Sequence, residues 1–334
     1  MFPLMLVSMA LTALTLLLSL ALLARRLRSR RRHGAAEAAQ RRIEPAALGL
    51  LDGDPLVSVD PELEPALAES LSRLAPMVTG NTRASIAEYF ESSGAVDRAG
   101  LRLADPRGHV RAATAAQLGD MCSERSVLPL LQALHDRDAD VRLAAARSLG
   151  RLRTKRAANP LLHSLVHRHV PSAVATGALL AIGAASLPGI RRLLAHSHAS
   201  ARADGVELLG LLGNPADSLL VTERLADDAA AVRSLACQAL RRLGALDAKT
   251  AVEAALADSD PQVRQAAAEA LGQVGDRHSS AGLIHAAQTD LPDVARSAAE
   301  SLARLAPGLA GRIAASSNAS PHLQRGALPA AAGA

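Results

Sequence analysis

The chain has 334 residues, almost half of them apolar, and the apolar residues are mainly Ala, Leu and Val, with no Trp, one Tyr and two Phe. Sheet cores usually draw on aromatic and β-branched side chains, whereas Ala and Leu are the best helix formers, so the composition argues against an all-β fold and predicts an all-α one. The net charge of +5 is uneven, with +7 in residues 1–43 and −2 in the remainder, so the remainder lacks the cationic surplus of a nucleic-acid-binding protein.

The N-terminal segment predicts a transmembrane helix at residues 1–24. No charged residue occurs from position 2 to position 24, and six Arg follow between positions 25 and 32. A helix of that length spans roughly 34 Å, enough to cross the hydrocarbon core. Signal peptides carry their charge before the apolar core, so the flank favours an anchor over a cleaved signal peptide. The positive-inside rule predicts a single-pass cell-membrane protein with its N-terminus outside and the rest in the cytoplasm.

Four further segments follow the anchor. Residues 25–44 predict a basic juxtamembrane segment that orients the anchor against anionic head groups. Residues 45–65 contain Pro, Gly or Asp every few positions, which predicts a linker. Residues 66–306 predict a repeat array. Residues 307–334, rich in Gly, Ser, Pro and Ala, predict a capping segment that passes into disorder.

The array is visible as self-similarity at a period close to 31 residues. A Val-Arg pair marks the register, and its first residue or a degenerate version of it recurs at Val110, Val141, Val174, Ala201, Val232, Val263 and Val294. Periods between 20 and 50 residues are typical of stacked supersecondary units. The stripe Val263, Ala266, Ala267, Ala270, Leu271 and Val274 has helical spacing and ends before Gly275. Each unit is therefore predicted to be a helix hairpin, and the array an α-solenoid of stacked hairpins.

The segment Asp-Pro-Gln-Val-Arg-Gln-Ala-Ala-Ala-Glu-Ala-Leu-Gly, from Asp260 to Gly272, resembles the signature of HEAT repeats of the phycobilisome-lyase-like subclass. The resemblance extends over about residues 97–306 and implies an armadillo-type superhelix. The class hosts scaffolds, chromophore lyases, DNA-repair enzymes and an iron hydroxylase, so it is weak as to function. The hydroxylase binds its metals through His-Glu pairs, and none of the eleven His precedes a Glu. The resemblance to anchored HEAT chains implies a bacterial protein that serves a membrane glycosyltransferase.

Two columns of charged residues predict a structural ladder between the repeats. The Arg column follows the register residue, and the Asp column lies five residues before it. Stacking brings like positions together, so we expect charge-assisted hydrogen bonds between the columns, with an anion-binding stripe as the alternative. The members are Arg111, Arg142, Arg202, Arg233 and Arg264 together with Asp105, Asp136, Asp227 and Asp258.

The ladder breaks in the centre of the array, and His residues collect there. His169 and His196 occupy the Asp column, Ala175 occupies the Arg column, and one repeat interval shortens to 27 residues. Nearby in the sequence lie His135, His163, His167 and His198, and the last three complete the predicted partner-binding or pH-sensitive patch. A metal site and ordinary polar turn residues are the alternatives.

The chain contains no nucleophile elbow, Gly-rich phosphate loop or Cys-x-x-Cys pair. We therefore predict no catalytic residue, metal or cofactor, and a scaffold or adaptor that docks a partner protein, such as a membrane glycosyltransferase, on its repeat surface. No nucleic-acid partner is expected. The alternative function is a ligand- or metal-dependent enzyme centred on residues 163–202. Cys122 and Cys237 are far apart, which fits a reducing compartment or two small core residues.

Overall fold

The computed structural model describes residues 41–50, 60, 62–316 and 320–326, and the regular secondary structure of this part is helical throughout. The α-helices are α1 (41–50), α2 (Glu64–Leu74), α3 (Gly80–Ser92), α4 (Ala95–Arg102), α5 (Gly108–Asp120), α6 (Val127–Ala133), α7 (Ala139–Leu152), α8 (Ala158–Val166), α9 (Ser172–Ile182), α10 (Leu187–Leu193), α11 (Ala199–Leu212), α12 (Ser218–Thr222), α13 (Ala230–Leu243), α14 (Lys249–Ala254), α15 (Pro261–Val274), α16 (Ser280–Thr289), α17 (Pro292–Leu305), α18 (Pro307–Ala314) and α19 (Pro321–Gly326).

These helices stack in two rows. The odd-numbered helices from α5 to α17, which we call the A helices, pack side by side. The even-numbered helices from α4 to α16, the B helices, each pack against the A helix that follows. The predicted α-solenoid is confirmed. Each hairpin buries its apolar face against neighbouring hairpins, as in other solenoids.

The apolar stripe predicted for α15 forms the core at that level. Val263, Ala267, Ala270 and Leu271 are fully buried, and Val274 is nearly so. The helix begins at Pro261, where a missing N–H is tolerated, and the Asp260 carboxylate accepts a hydrogen bond from the backbone N–H of Gln262 at 2.8 Å. A recurring local signal therefore sets both the start and the buried face of an A helix.

Glycine allows neighbouring A helices to approach closely. A Cβ added at Gly150 in α7 would lie 2.8 Å from the Cα of Ala178 in α9. The same is true of Gly210 in α11 and the Cα of Ala239 in α13. Since real Cβ atoms do not come so near a backbone atom, these two contacts require residues without a side chain.

The side-by-side stacking of A helices weakens at one step. α9 and α11 contact each other much less than other neighbouring A helices do. The same region contains a helical run, Ser172–Leu193, that is long and apolar enough to cross a membrane by length and composition alone. However, 44% of its most apolar stretch is buried inside the array. Gly183, at a φ of 75°, divides the run into α9 and α10. The run is therefore accounted for as two helices of the array.

The predicted N-terminal boundaries need one correction. The anchor at 1–24 and most of the basic segment at 25–44 lie outside the described residues. The predicted linker, however, begins inside a helix, because residues 41–50 are helical and bury Ile43, Ala47 and Leu50. Their spacing of four and three residues places them on one helix face. The nearby Pro and Gly favour a linker, whereas the spacing of these three apolar residues is typical of a helix.

The array also continues beyond the predicted end at residue 306. Helices α18 and α19 follow, and they bury Ala310 and Leu323. The Ser320 hydroxyl donates a hydrogen bond to the carbonyl of Ala287 at 2.7 Å, which fixes α19 against α16. The predicted capping role fits this packing, while predicted disorder is wrong for residues 307–316 and 320–326.

Candidate functional site

The Arg and Asp columns meet between adjacent repeats. Arg233 forms a bidentate pair with Asp258 of the next unit, with Nε–Oδ2 at 2.7 Å and Nη2–Oδ1 at 2.8 Å. Its third nitrogen, Nη1, donates to the carbonyl of Asp227 in its own unit at 2.8 Å. One guanidinium thus joins two inter-helix turns. The same bidentate geometry recurs at the pairs Arg111–Asp136, Arg202–Asp227 and Arg264–Asp290.

These Arg–Asp pairs are partly shielded from water, and the hydrogen bonds within them shift the pKa of the carboxyl group. The side chains of Arg233 and Asp258 are 15% and 12% exposed. The hydrogen bond from Arg233 holds the pKa of the Asp258 carboxyl below its usual value. Planar bidentate pairing of this kind is both directional and stronger than a neutral hydrogen bond.

Two Asp residues depart from the predicted columns. Asp105, at the start of the array, pairs with the exposed Arg107 of its own turn, whose hydrogen bond lowers the pKa of Asp105 to about 2. Only the backbone carbonyl of Asp105 accepts a bond from Arg111. Asp290 completes the last rung but was missed, because it lies four residues before Val294 and not five.

The ladder has a different partner at the centre. Arg142 donates from Nε to the backbone carbonyl of His169 at 2.7 Å, where other rungs have a carboxylate. The next Arg position is Ala175, which is fully buried. This interruption lies beside the weak α9–α11 step, so the loss of the bidentate pair and the loss of close helix stacking coincide.

Four imidazole rings cluster at this interruption, and we call them the His cluster: His135, His163, His167 and His169. Their ring centroids lie 4.2 Å apart for His163 and His167 and 6.3 Å apart for His135 and His163. Burial, followed by the neighbouring rings, lowers the pKa of His163. The Nδ1 of His169 is buried and has no hydrogen-bond partner among the described residues.

The remaining two predicted patch residues form a separate pair. His196 and His198 have ring centroids 5.3 Å apart, and the backbone N–H of His198 donates to Nδ1 of His196 at 3.1 Å. The structure therefore groups three of the five predicted His with His135 and places the other two elsewhere. Within the described ranges, no group of three or more His, Cys, Asp or Glu has an arrangement that could hold a metal ion.

A groove of about 630 Å³ lies along α7 and α9. One wall comes from the turn before α3, and the other from α7 and α9. Its lining is Pro76, Val78, Thr79, Gly80, Arg83, Arg147, Gly150, Arg151, Arg153, Ala173, Val174, Gly177, Ala178 and Ala181. The Arg83 guanidinium ties the two walls together by donating to the carbonyl of Arg151 at 2.8 Å.

This groove is not apparent in the sequence because its walls are 68 residues apart in sequence and its floor is Ala and Gly. One signal could have found it. The position twelve residues after the register residue is glycine in three later repeats, at Gly213, Gly244 and Gly275. In the other four repeats it is Cys122, Arg153, Ser186 and Ala306. Arg153 lines the groove, and Cys122 lines an adjoining depression of about 420 Å³.

A family model for HEAT repeats matches residues 97–183 and 218–303, which together make up just over half of the chain. The chain belongs to the HEAT-repeat family. The two matched stretches lie on either side of the segment that contains α10 and α11, so the family pattern is interrupted close to the central break. None of the curated proteins matches the chain in sequence.

Solved structures resemble this chain at low sequence identity. Human deoxyhypusine hydroxylase is 20% identical, with 81% of this chain and 98% of that one covered and a TM-score of 0.32. The CpcE–CpcF phycocyanin lyase of Nostoc is 23% identical, with 81% and 94% covered and a TM-score of 0.31. Kap95p, solved with RanGDP, is 14% identical, with 80% and 44% covered and a TM-score of 0.52. Of these three similarities, the one to Kap95p has a TM-score above 0.5, and it bears on the fold alone.

Proposed function

We propose that this HEAT-repeat chain is a membrane-tethered scaffold or adaptor that docks a partner protein on its repeat surface, on the cytoplasmic side. The observation that carries the proposal is the groove, a partly apolar surface whose floor along α9 is exposed. Met77, in the turn that forms one wall, is 80% exposed, as expected for a surface that a partner covers. The structural neighbour Kap95p was also solved with a protein partner.

The tether rests on the sequence of residues 1–32. The uncharged segment followed by six Arg supports a single-pass anchor with the array in the cytoplasm. A scaffold of this kind meets partners that are themselves near the bilayer. A membrane enzyme of the glycosyltransferase class is therefore the first partner to test, and the HEAT chain itself contributes no catalytic step.

The test is crosslinking of the tagged full-length chain in its native membranes, followed by mass spectrometry of the captured proteins. We expect one membrane protein to be captured reproducibly by the wild-type chain. Deletion of residues 1–32 should release the chain from the membrane fraction and reduce the capture. Failure to capture any partner, or a chain that stays in the soluble fraction with residues 1–32 present, would contradict the proposal.

A second candidate function, a ligand- or metal-dependent enzyme, is favoured by one observation. The buried Nδ1 of His169 has no partner in the described structure and lies within a cluster of four imidazole rings. Metal analysis of the purified full-length chain separates the two functions. Stoichiometric metal that is lost in His167→Ala but kept in His196→Ala would favour the enzyme, since His196 lies outside the His cluster.

A further inference from the structure

The groove has a floor that lacks bulky side chains. Ala173, Gly177 and Ala181 recur every four residues along α9, and all three are exposed. A Cβ added at Gly177 would meet nothing within 4 Å, so no neighbouring helix covers this face. Small residues at this spacing let the backbone of a second peptide approach closely.

The rim of the groove is cationic. Four Arg line it, and the described lining contains no Asp or Glu. Arg151 is partly neutralised by Asp120, with Nε–Oδ1 at 3.0 Å. Arg147 and Arg153 are exposed and form no ion pair with any described residue. Two guanidinium groups are therefore available to a ligand above an uncharged floor.

Arg153 is held in a strained conformation. Its φ is 55°, in the left-handed region where residues other than Gly, Asn and Asp are uncommon. The same repeat position at the end of α13 has a φ of 64° and is Gly244, the residue that suits this conformation. A strained side chain at a position where glycine serves elsewhere in the same chain indicates a role for that side chain.

We propose that the groove binds an acidic peptide segment of the partner, with small or apolar residues against α9 and carboxylates on Arg147 and Arg153. This inference rests on the proposed docking function and specifies its site. Guanidinium groups form bidentate pairs with carboxylates, which supplies specificity. The apolar floor favours a peptide over a free anion. Nucleic acid fits poorly, because the described lining of the groove has no aromatic side chain on which bases could stack.

The test measures the fluorescence anisotropy of a labelled helical peptide of Ala, Leu and Glu with the full-length chain in detergent micelles. A matched peptide with Gln in place of Glu reports apolar binding alone. We expect Arg147→Glu with Arg153→Glu to weaken binding of the Glu peptide by about tenfold or more, because these are the central charged contacts. Arg277→Glu with Arg312→Glu is the matched control, since both Arg are exposed and form no ion pair in the described structure, and they lie just before α16 and in α18. Binding of the peptide to the Arg-rich N-terminal segment is the same in this variant and in the groove variant, so a comparison of the two removes it.

Two further variants separate binding from folding. Gly177→Leu adds a side chain in open space above the floor and should abolish binding without lowering the melting temperature. Arg153→Gly should raise the melting temperature while weakening binding, which a purely structural residue would not do. Melting curves of all variants show that the fold is intact.

Three outcomes overturn the inference. One is equal binding of the Glu and Gln peptides, and another is Glu-peptide binding that ignores Gly177→Leu and the double Arg variant. The third is groove-dependent binding of inorganic phosphate or of phosphatidylglycerol vesicles without peptide binding, which would make the occupant a phosphate group. A fourth outcome, a partner still captured in membranes by the double Arg variant, would contradict this site but not the docking function.

Discussion

The two parts of the solenoid differ in how their repeats are joined. From α11 to α17 every step has a bidentate Arg–Asp pair and closely packed A helices. From α7 to α11 the Arg142 rung ends on a carbonyl, the next rung is missing at Ala175, and four His occupy the edge. The groove lies against this second part, along α7 and α9.

The difference teaches where a repeat protein can place a binding surface. Regular rungs fix the distance between the turns of adjacent repeats, so a substitution in a rung lowers the stability of the array directly. Where the rungs are interrupted, the exposed faces of α7 and α9 are not committed to stacking, and side chains such as Arg147 point into open space. The same contrast is seen at Arg153 and Gly244, which share a repeat position but not a residue type.

Removing a regular rung should have the largest effect. Arg233→Met breaks the bidentate pair and leaves the Asp258 carboxylate, 12% exposed, without its partner. We expect the free energy of unfolding to fall by about 2–4 kcal/mol, since an unpaired buried charge is costly. Urea unfolding measures this change in the free energy of unfolding. Arg107→Met, which removes an exposed guanidinium from a pair within one turn, is the control and should lower the free energy of unfolding much less. Equal effects of both substitutions would show that the rungs do not join the repeats.

Removing the central rung should cost less. Arg142→Met loses hydrogen bonds to the carbonyls of His169 and Asp136 but leaves no carboxylate behind. We expect a loss of about 1–2 kcal/mol by the same unfolding measurement. A loss as large as that of Arg233→Met would remove the proposed distinction between the two parts.

Relieving the strain at Arg153 should stabilise the chain. Arg153→Gly replaces a side chain at a φ of 55° with the residue preferred there. The free energy of unfolding should rise by about 1 kcal/mol. The reverse substitution in the regular part, Gly244→Arg, should destabilise by a similar amount, and no change in either variant would contradict the strain argument.

The smallest effect concerns pH. The pKa of His163 is lowered in the folded protein, so the unfolded chain takes up its proton first as the pH falls. Stability from the neutral ring is therefore complete above the unfolded pKa of about 6.5 and is lost as the pH falls through the lower folded pKa. The ladder carboxyls, whose pKa values are also lowered, stay ionised in this window.

Melting temperatures between about pH 7.5 and pH 5 test this prediction, because His titrates within that range. His163→Gln should flatten the pH dependence, whereas His109→Gln, at an exposed ring outside the His cluster, should not. A steeper dependence in His163→Gln than in the wild-type chain would reverse the sign and contradict the assignment.

The sequence predicts the repeats well because their signals are local and repeated. The Val263 stripe, the Asp260 cap and the Arg and Asp columns all lie within one unit, so the period exposes them. The groove could not be predicted, since it joins Arg83 to residues of α7 and α9 and its floor is made of residues without distinctive chemistry. The His cluster was predicted in part. Only the fold shows that His135 belongs with it and that His196 does not.

The most direct test of docking in the groove is photo-crosslinking from single positions in native membranes. A photoreactive residue at Ala181 lies on the exposed groove floor, and one at Gly311 lies on the exposed surface of α18. We predict one membrane protein captured from Ala181, lost when Arg147 and Arg153 are both changed to Glu, and no capture from Gly311. Equal capture from both positions, or capture from Ala181 that survives the Arg changes, would contradict the account.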